Sequence, residues 1–275
     1  MRNRKRLIRI LLYALLLIVF CVYVTPIWYI VTTSFKLERD AYAIPPKVFF
    51  VPTLANYFDA FSGRGMGHNF FNSLVVSSVS SVLALLLGTP AAYALSRFEF
   101  KKKESIFFWF LSTRMAPFIL AGLPVYLLSK QIGLYDTRTL LVIMDMLINL
   151  AWVVWMMRSF FDDIPPDIDE ACMVDGCSRT SALFRVILPL ATPGLVASTI
   201  FCLIMSWNEY FFAMILTSFN AQTLPAAISS FLTVYGLLWG QMAAAGTVIA
   251  IPIMVFVFFM QKHIIRGLTM GAVKS

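Results

Sequence analysis

The chain has 275 residues, 60% of them hydrophobic and only 13% charged, with a formal net charge of +8. A soluble domain keeps roughly 25% of its residues charged to cover its surface, so this composition excludes a water-soluble fold and makes lipid the solvent. The basic excess does not indicate nucleic acid, because the basic residues sort by membrane side.

A helix needs about 20 apolar residues to cross the hydrocarbon. Six runs meet that requirement, over 10–35, 70–95, 105–128, 139–158, 193–217 and 243–261, and they predict an all-α integral membrane protein with six transmembrane helices. The first run carries no charge between Arg9 and Lys36 and is followed by no small-residue cleavage site, so it is expected to be a retained span. The loop over 36–69 holds Pro45, Pro46 and Pro52 and then Gly63, Gly65 and Gly67, the composition of a turn-rich cap followed by a flexible re-entry. A five-helix core over 70–261 follows, interrupted by a charged connection over 159–192 and ending in a polar tail over 262–275.

The 22 Lys and Arg residues test this topology. Fifteen, including Arg2 to Arg9, Arg97, Lys101 to Lys103, Arg158, Arg179, Arg185 and the tail, fall on one side, six fall on the other, and Arg114 lies inside a span. Positive-inside orientation then puts both termini, the 159–192 connection and the tail in the cytosol. Cys21, Cys172, Cys177 and Cys202 are expected to be reduced packing residues, with no metal site.

Arg114, Asp145, Asn149, Asn208 and Glu209 lie within apolar runs, where ionisable groups normally face a protein interior or a cavity. Counting helical rise from the span ends places Arg114 roughly 14 Å from one face and Asp145 roughly 9 Å from the other, within side-chain reach. An Arg114–Asp145 ion pair is therefore expected, either as a packing device or as a substrate contact. Asn149 and the stretch "SWNEYFF" are the candidate substrate pathway. Within that stretch Trp207 and Tyr210 offer flat aromatic faces, and Asn208 and Glu209 offer hydrogen-bonding groups, to a substrate. The alternative is an aromatic packing face.

The connection "DIDEACMVDGCSRTSALFRVILPL", Asp167 to Leu190, is the most patterned polar stretch of the chain. Pro165 and Pro166 suit the start of a helix, Asp167, Asp169 and Glu170 complement its positive end, and Gly176 supplies a left-handed stop. A second helix begins near Ser178 and stops at Pro189, giving a helix–glycine–helix elbow. Interfacial helices normally carry Lys and Arg on their polar face. This first limb is acidic, so a basic groove on a protein partner fits it better than lipid headgroups.

The stretch "EACMVDGCSRTSALFRVILPLATP" resembles the EAA loop of permease subunits of binding-protein-dependent ABC importers. Glu170, Ala171, Gly176, Leu188 and Pro189 match that pattern, Asp175 matches its Asp-Gly variant, and Cys172 and Cys177 replace the usual alanines. "LANYFDAF", "FNSLVVS", "AAYALSRFEF" and "RGLTMGAVKS" extend the resemblance over almost the whole chain, to the maltose- and polyol-type permeases. The resemblance implies a type I importer permease fold and an ATP-driven carbohydrate importer in a bacterial cytoplasmic membrane. It implies a second permease subunit, two cytosolic ATPase subunits that bind ATP and Mg, and an extracytoplasmic substrate-binding protein as partners. It also implies that Glu170, Ala171, Cys172, Asp175, Gly176, Leu188 and Pro189 couple to the ATPase, and that Gly267, Gly271, Lys274 and Ser275 of the tail contact it. The chain has no G-x-x-x-x-G-K-[ST] phosphate loop and no HExxH motif, so it is expected to be non-catalytic and to bind no cofactor itself. The competing expectation is an ion-coupled secondary carrier, which would transport without an ATPase.

Overall fold

The structure, a computed structural model, describes residues 2–233 and 236–270. The first helix, α1 (Arg2–Ser34), includes an apolar stretch over Ile8–Ser34 long enough to cross a membrane. Two short helices, Glu38–Ala41 and Ala55–Phe58, fold the loop that follows. Lys36 is buried there, with its ammonium 5.1 Å from the Tyr29 ring and 5.3 Å from the Phe50 ring. Faces of aromatic rings substitute for water around a buried cation.

The second long helix, α2 (Met66–Arg97), contains Pro90. Gly88 on α2 is a close-packing point, since a Cβ there would lie 2.6 Å from Val153. The run over 105–128 is not one helix. It is built as α3 (Lys103–Ser112) and α4 (Phe118–Gln131), with a turn around Arg114 and Met115 between them. Pro117 explains the break: it lacks an N–H for a continuing helix and pushes the residue before it out of the helical region.

The central helix is α5 (Arg138–Asp162), capped by Thr137, whose hydroxyl accepts from Leu140 N at 3.3 Å. Its buried face runs through Leu141, Asp145, Asn149, Val153 and Met157, the four-residue spacing of a single helix face. After α5 come the elbow helices α6 (Asp167–Val174) and α7 (Arg179–Leu190), and then α8 (Thr192–Trp207). The α7–α8 pair is bent by 81° at Ala191. Gly194 on α8 lets the helix lie against the Phe160 ring, which any Cβ would strike.

The run over 193–217 is also broken. Helix α8 stops at Trp207, and α9 (Phe211–Leu216) resumes after Asn208–Tyr210. A small antiparallel pair, β1 (Leu232–Thr233) and β2 (Gly236–Leu237), precedes α10 (Trp239–Met270). Of the six apolar runs, four therefore form continuous helices long enough to span and two are interrupted, one of these being part of the bent pair.

The described residues divide into two compact units, one of those up to 67 with those in 228–251, the other of 68–227 with those from 252 onward. In the second unit one core cluster joins Ala84, Ala92, Tyr93, Val153, Met157, Phe161, Leu183 and Ile187. The other joins Val76, Leu140, Leu141, Phe212, Ala213 and Leu216.

Candidate coupling elbow and polar groups within the spans

The elbow forms because its ends are locally satisfied. Gly176 takes φ +88°, and Cys177 N donates to Cys172 O while Gly176 N donates to Met173 O, both at 3.0 Å. This paired closure satisfies the last carbonyls of α6, and only glycine adopts the left-handed backbone without strain. Ser178 then caps α7 by accepting from Ser181 N at 3.2 Å. Leu183–Ile187 widens into a π-turn, buries Leu183 and Ile187, and leaves Phe184 outside.

The first limb has two faces. Cys172 and Asp169 are buried, whereas Asp167, Glu170, Ala171 and Asp175 are exposed and Val174 is 87% exposed. Asp167, Ile168, Ala171, Cys172, Asp175, Cys177 and Val186 line an open groove of about 520 Å³. The Cys177 thiol, hydrogen-bonded to Cys172, pushes the Cys172 thiol up to about 11, helped by burial. Leu188 and Pro189 close the second limb, half-buried and exposed respectively.

One contact was not legible in the motif. The Asp169 carboxylate is held by two groups from the end of α2: Tyr93 OH donates to Oδ1 at 2.5 Å and Arg97 Nε to Oδ2 at 2.7 Å. Arg97 Nη2 also donates to Ile164 O at 2.8 Å. Both charged side chains are nearly water-free, 7% exposed for Arg97 and 6% for Asp169. The sequence had the signal, since Asp169 stands three residues before the small, buried Cys172 and so shares its inward face.

The polar groups within the spans do not meet as expected. Arg114 sits in the α3–α4 turn with its guanidinium 5.2 Å from the centre of the Trp152 ring. Among the described residues no ion pair joins it to Asp145. The depth estimate behind that pair assumed an unbroken helix, and the turn before Pro117 breaks it. Asp145 is buried, with Oδ1 unpartnered. Asn149 donates to Ser206 Oγ at 2.7 Å, and Ser206 Oγ lies 3.0 Å from Ser80 Oγ, so α2, α5 and α8 meet at a buried polar node.

In "SWNEYFF" the four candidates separate. Trp207 is buried and edge-on to Phe70 at 5.6 Å. Glu209 caps α9, accepting from Phe212 N at 2.8 Å and Ala213 N at 3.0 Å. Asn208 and Tyr210 are exposed at the break between α8 and α9. Of the tail residues, Gly267 lies in α10, while Gly271, Lys274 and Ser275 lie outside the described residues.

Comparison with known proteins settles the family. Residues 84–270 match the model of the binding-protein-dependent transport system inner membrane component. The chain belongs to that family. It is 37% identical over 279 residues to the inner membrane ABC transporter permease protein YcjP of Escherichia coli, covering 99% of each chain. It is 35% identical to the trehalose transport system permease protein SugB of Mycobacterium tuberculosis, over 91% of this chain and 92% of that one. It is 31% identical to the trehalose/maltose transport system permease protein MalG of Thermococcus litoralis, over 98% of each. Among solved structures, a bacterial ABC transporter that imports the acidic polysaccharide alginate matches with a TM-score of 0.77 at 24% identity, over 94% of this chain and 96% of that chain. The fold is thus that of a type I ABC importer permease, and the chain is a multi-pass membrane permease of the carbohydrate importer kind.

Proposed function

We propose that this permease carries a sugar, polyol or related carbohydrate across a bacterial cytoplasmic membrane by alternating access. It does so as one half of a heterodimer with a second permease subunit. Two separate ATPase subunits in the cytosol bind ATP and Mg and drive the cycle, and an extracytoplasmic binding protein delivers the substrate. Both termini and the elbow face the cytosol, which agrees with the fifteen basic residues on that side. The whole chain, 1–275, acts as a single transmembrane permease domain.

One observation carries this reading: the elbow is bolted to its own bundle on one face and bare on the other. A helix resting in lipid would expose cations, whereas α6 exposes Asp167, Glu170 and Asp175 beside the apolar Val174. A rim of carboxylates around a small apolar knob and a shallow groove suits a protein cleft with basic lining. Glu170, Ala171, Cys172, Asp175, Gly176, Leu188 and Pro189 form this contact, and Gly267, Gly271, Lys274 and Ser275 add a second one from the tail. At the substrate end, Asn208 and Tyr210 sit where a spanning helix is interrupted, the kind of place where transporters expose polar groups to cargo. Asn149, Trp207 and Glu209 support that site from behind through the contacts described above.

Co-expression of the permease with its neighbouring transporter genes, followed by purification through this chain, tests the assignment. The ATPase subunit is expected to co-purify, and Glu170→Ala is expected to reduce its recovery. Carbohydrate uptake by vesicles containing this chain alone would instead establish the secondary carrier.

A further inference from the structure

We propose that Asp169, Arg97 and Tyr93 form a strut that makes α6 and α2 one rigid body, so that an ATPase stroke received at the elbow is delivered directly into span α2. The proposal deepens the coupling function above and rests on it. Two adjacent carboxylates on α6 have opposite exposures: Glu170 is open to solvent, while Asp169 is 4% exposed. On this division Glu170 belongs to the partner and Asp169 to the permease itself.

Three features make the Asp169 contact stiffer than an ordinary ion pair. Each carboxylate oxygen has its own donor, Tyr93 OH at 2.5 Å and Arg97 Nε at 2.7 Å, so the group cannot rotate without losing one. Both charges are withdrawn from water, and separating them would leave a buried charge unpaired. The donors are themselves fixed: the Tyr93 ring packs edge-on against Phe161 at 5.7 Å and Phe98 at 6.4 Å. Arg97 also holds Ile164 O on the link between α5 and α6. A neighbouring contact reinforces the strut, because Ser96 on α2 donates to Asp162 on α5 at 2.5 Å.

The covalent path from the elbow into the spans is less direct. It runs through the wide turn at Leu183–Ile187 and then an 81° bend before α8 begins. A push on α6 is shared along that path by bends, whereas the strut joins α6 to the end of an unbroken helix of 32 residues. Arg97 and Asp169 are therefore positioning residues, which act through α2 and not on the substrate.

The test uses the assembled complex in nanodiscs, with the four native cysteines replaced by alanine and spin labels placed at Pro166→Cys, the residue that opens α6 outside the proposed ATPase contact, and Leu86→Cys on α2. Both label positions are exposed. Distances between the labels are read by pulsed electron resonance without nucleotide and with ATP plus vanadate. With the strut intact, the distance distribution is expected to stay narrow and unchanged between the two states. Asp169→Asn or Arg97→Gln is expected to broaden it and make it nucleotide-dependent. The exchange Arg97→Asp with Asp169→Arg is expected to narrow it again, a rescue that general misfolding would not give. A nucleotide-dependent distance in the intact strut, or single variants indistinguishable from it, would overturn the proposal. Recovery of the ATPase subunit is scored in the same preparations. Its absence would overturn the coupling function, while its presence with a moving distance would overturn the strut alone.

Discussion

Asp136 shows how much a single carboxylate can organise. It stands at φ +58°, a left-handed conformation that Asp tolerates, and accepts from the backbone N–H groups of Ser218, Phe219, Asn220 and Ala221 at 2.9 to 3.2 Å. Burial raises its pKa, but the four N–H donors outweigh burial and hold the carboxyl below the usual Asp range. A depressed folded pKa contributes stability that is full above the ordinary Asp value of about 3.9 and lost as pH falls through the lower folded value. Amide protection factors at Ser218 to Ala221 should therefore be flat from neutral pH down to that ordinary value and fall only in stronger acid. Asp136→Ala should expose the loop at neutral pH, at a local cost of about 1–3 kcal/mol. Asp136→Asn, which keeps an acceptor and the left-handed preference, should cost less. Equal exchange in all three proteins would refute the clasp. Cys172 makes a second claim at this scale. With its thiol raised to about 11 it stays protonated at pH 8, so alkylation should be slow there and accelerate only near the raised value.

Helices and turns were legible where apolar length or punctuation decided them. The runs over 10–35, 70–95, 139–158 and 243–261 became continuous helices, three of them carrying an internal proline, Pro26, Pro90 and Pro252. Pro165, Pro166 and Gly176 set the elbow for the same local reasons that made it readable. The breaks at Pro117 and at Asn208–Tyr210 were not legible, because proline is common in membrane spans and a hydropathy pattern does not report whether a run is one helix or two. Residue roles followed that divide. Arg97 counted as a topology charge until the fold brought Asp169 inward onto it, and Glu209, a candidate sugar contact, also caps the helix that the break begins. Gly176→Ala tests the elbow's local geometry: no atom lies near the added Cβ, so the cost is backbone strain of roughly 1–2 kcal/mol. Gly194→Ala acts by collision with Phe160, and should lower thermal stability by about 1–3 kcal/mol through overpacking of α5 against α8. If Gly194→Ala leaves the melting temperature of the purified permease unchanged, that helix contact is looser than described.

Across the whole chain, an acidic elbow on the basic-rich side, a relation to trehalose and maltose permeases over nearly full length, and the type I importer fold point to one division of labour. On the proposed function, this chain provides the membrane pathway and the handle, and another polypeptide turns ATP into motion. On that proposal the elbow serves the partner, and Asn208 and Tyr210 serve the cargo. The central claim is that the bare face of α6 is the ATPase contact. Site-specific cross-linking from Val174→Cys in the co-expressed complex measures it most directly. A cross-link to the ATPase subunit whose yield changes with ATP and vanadate, with none from Phe219→Cys in the loop that Asp136 clasps, is the predicted result. No cross-link from Val174→Cys, or equal cross-linking from both positions, would contradict the account.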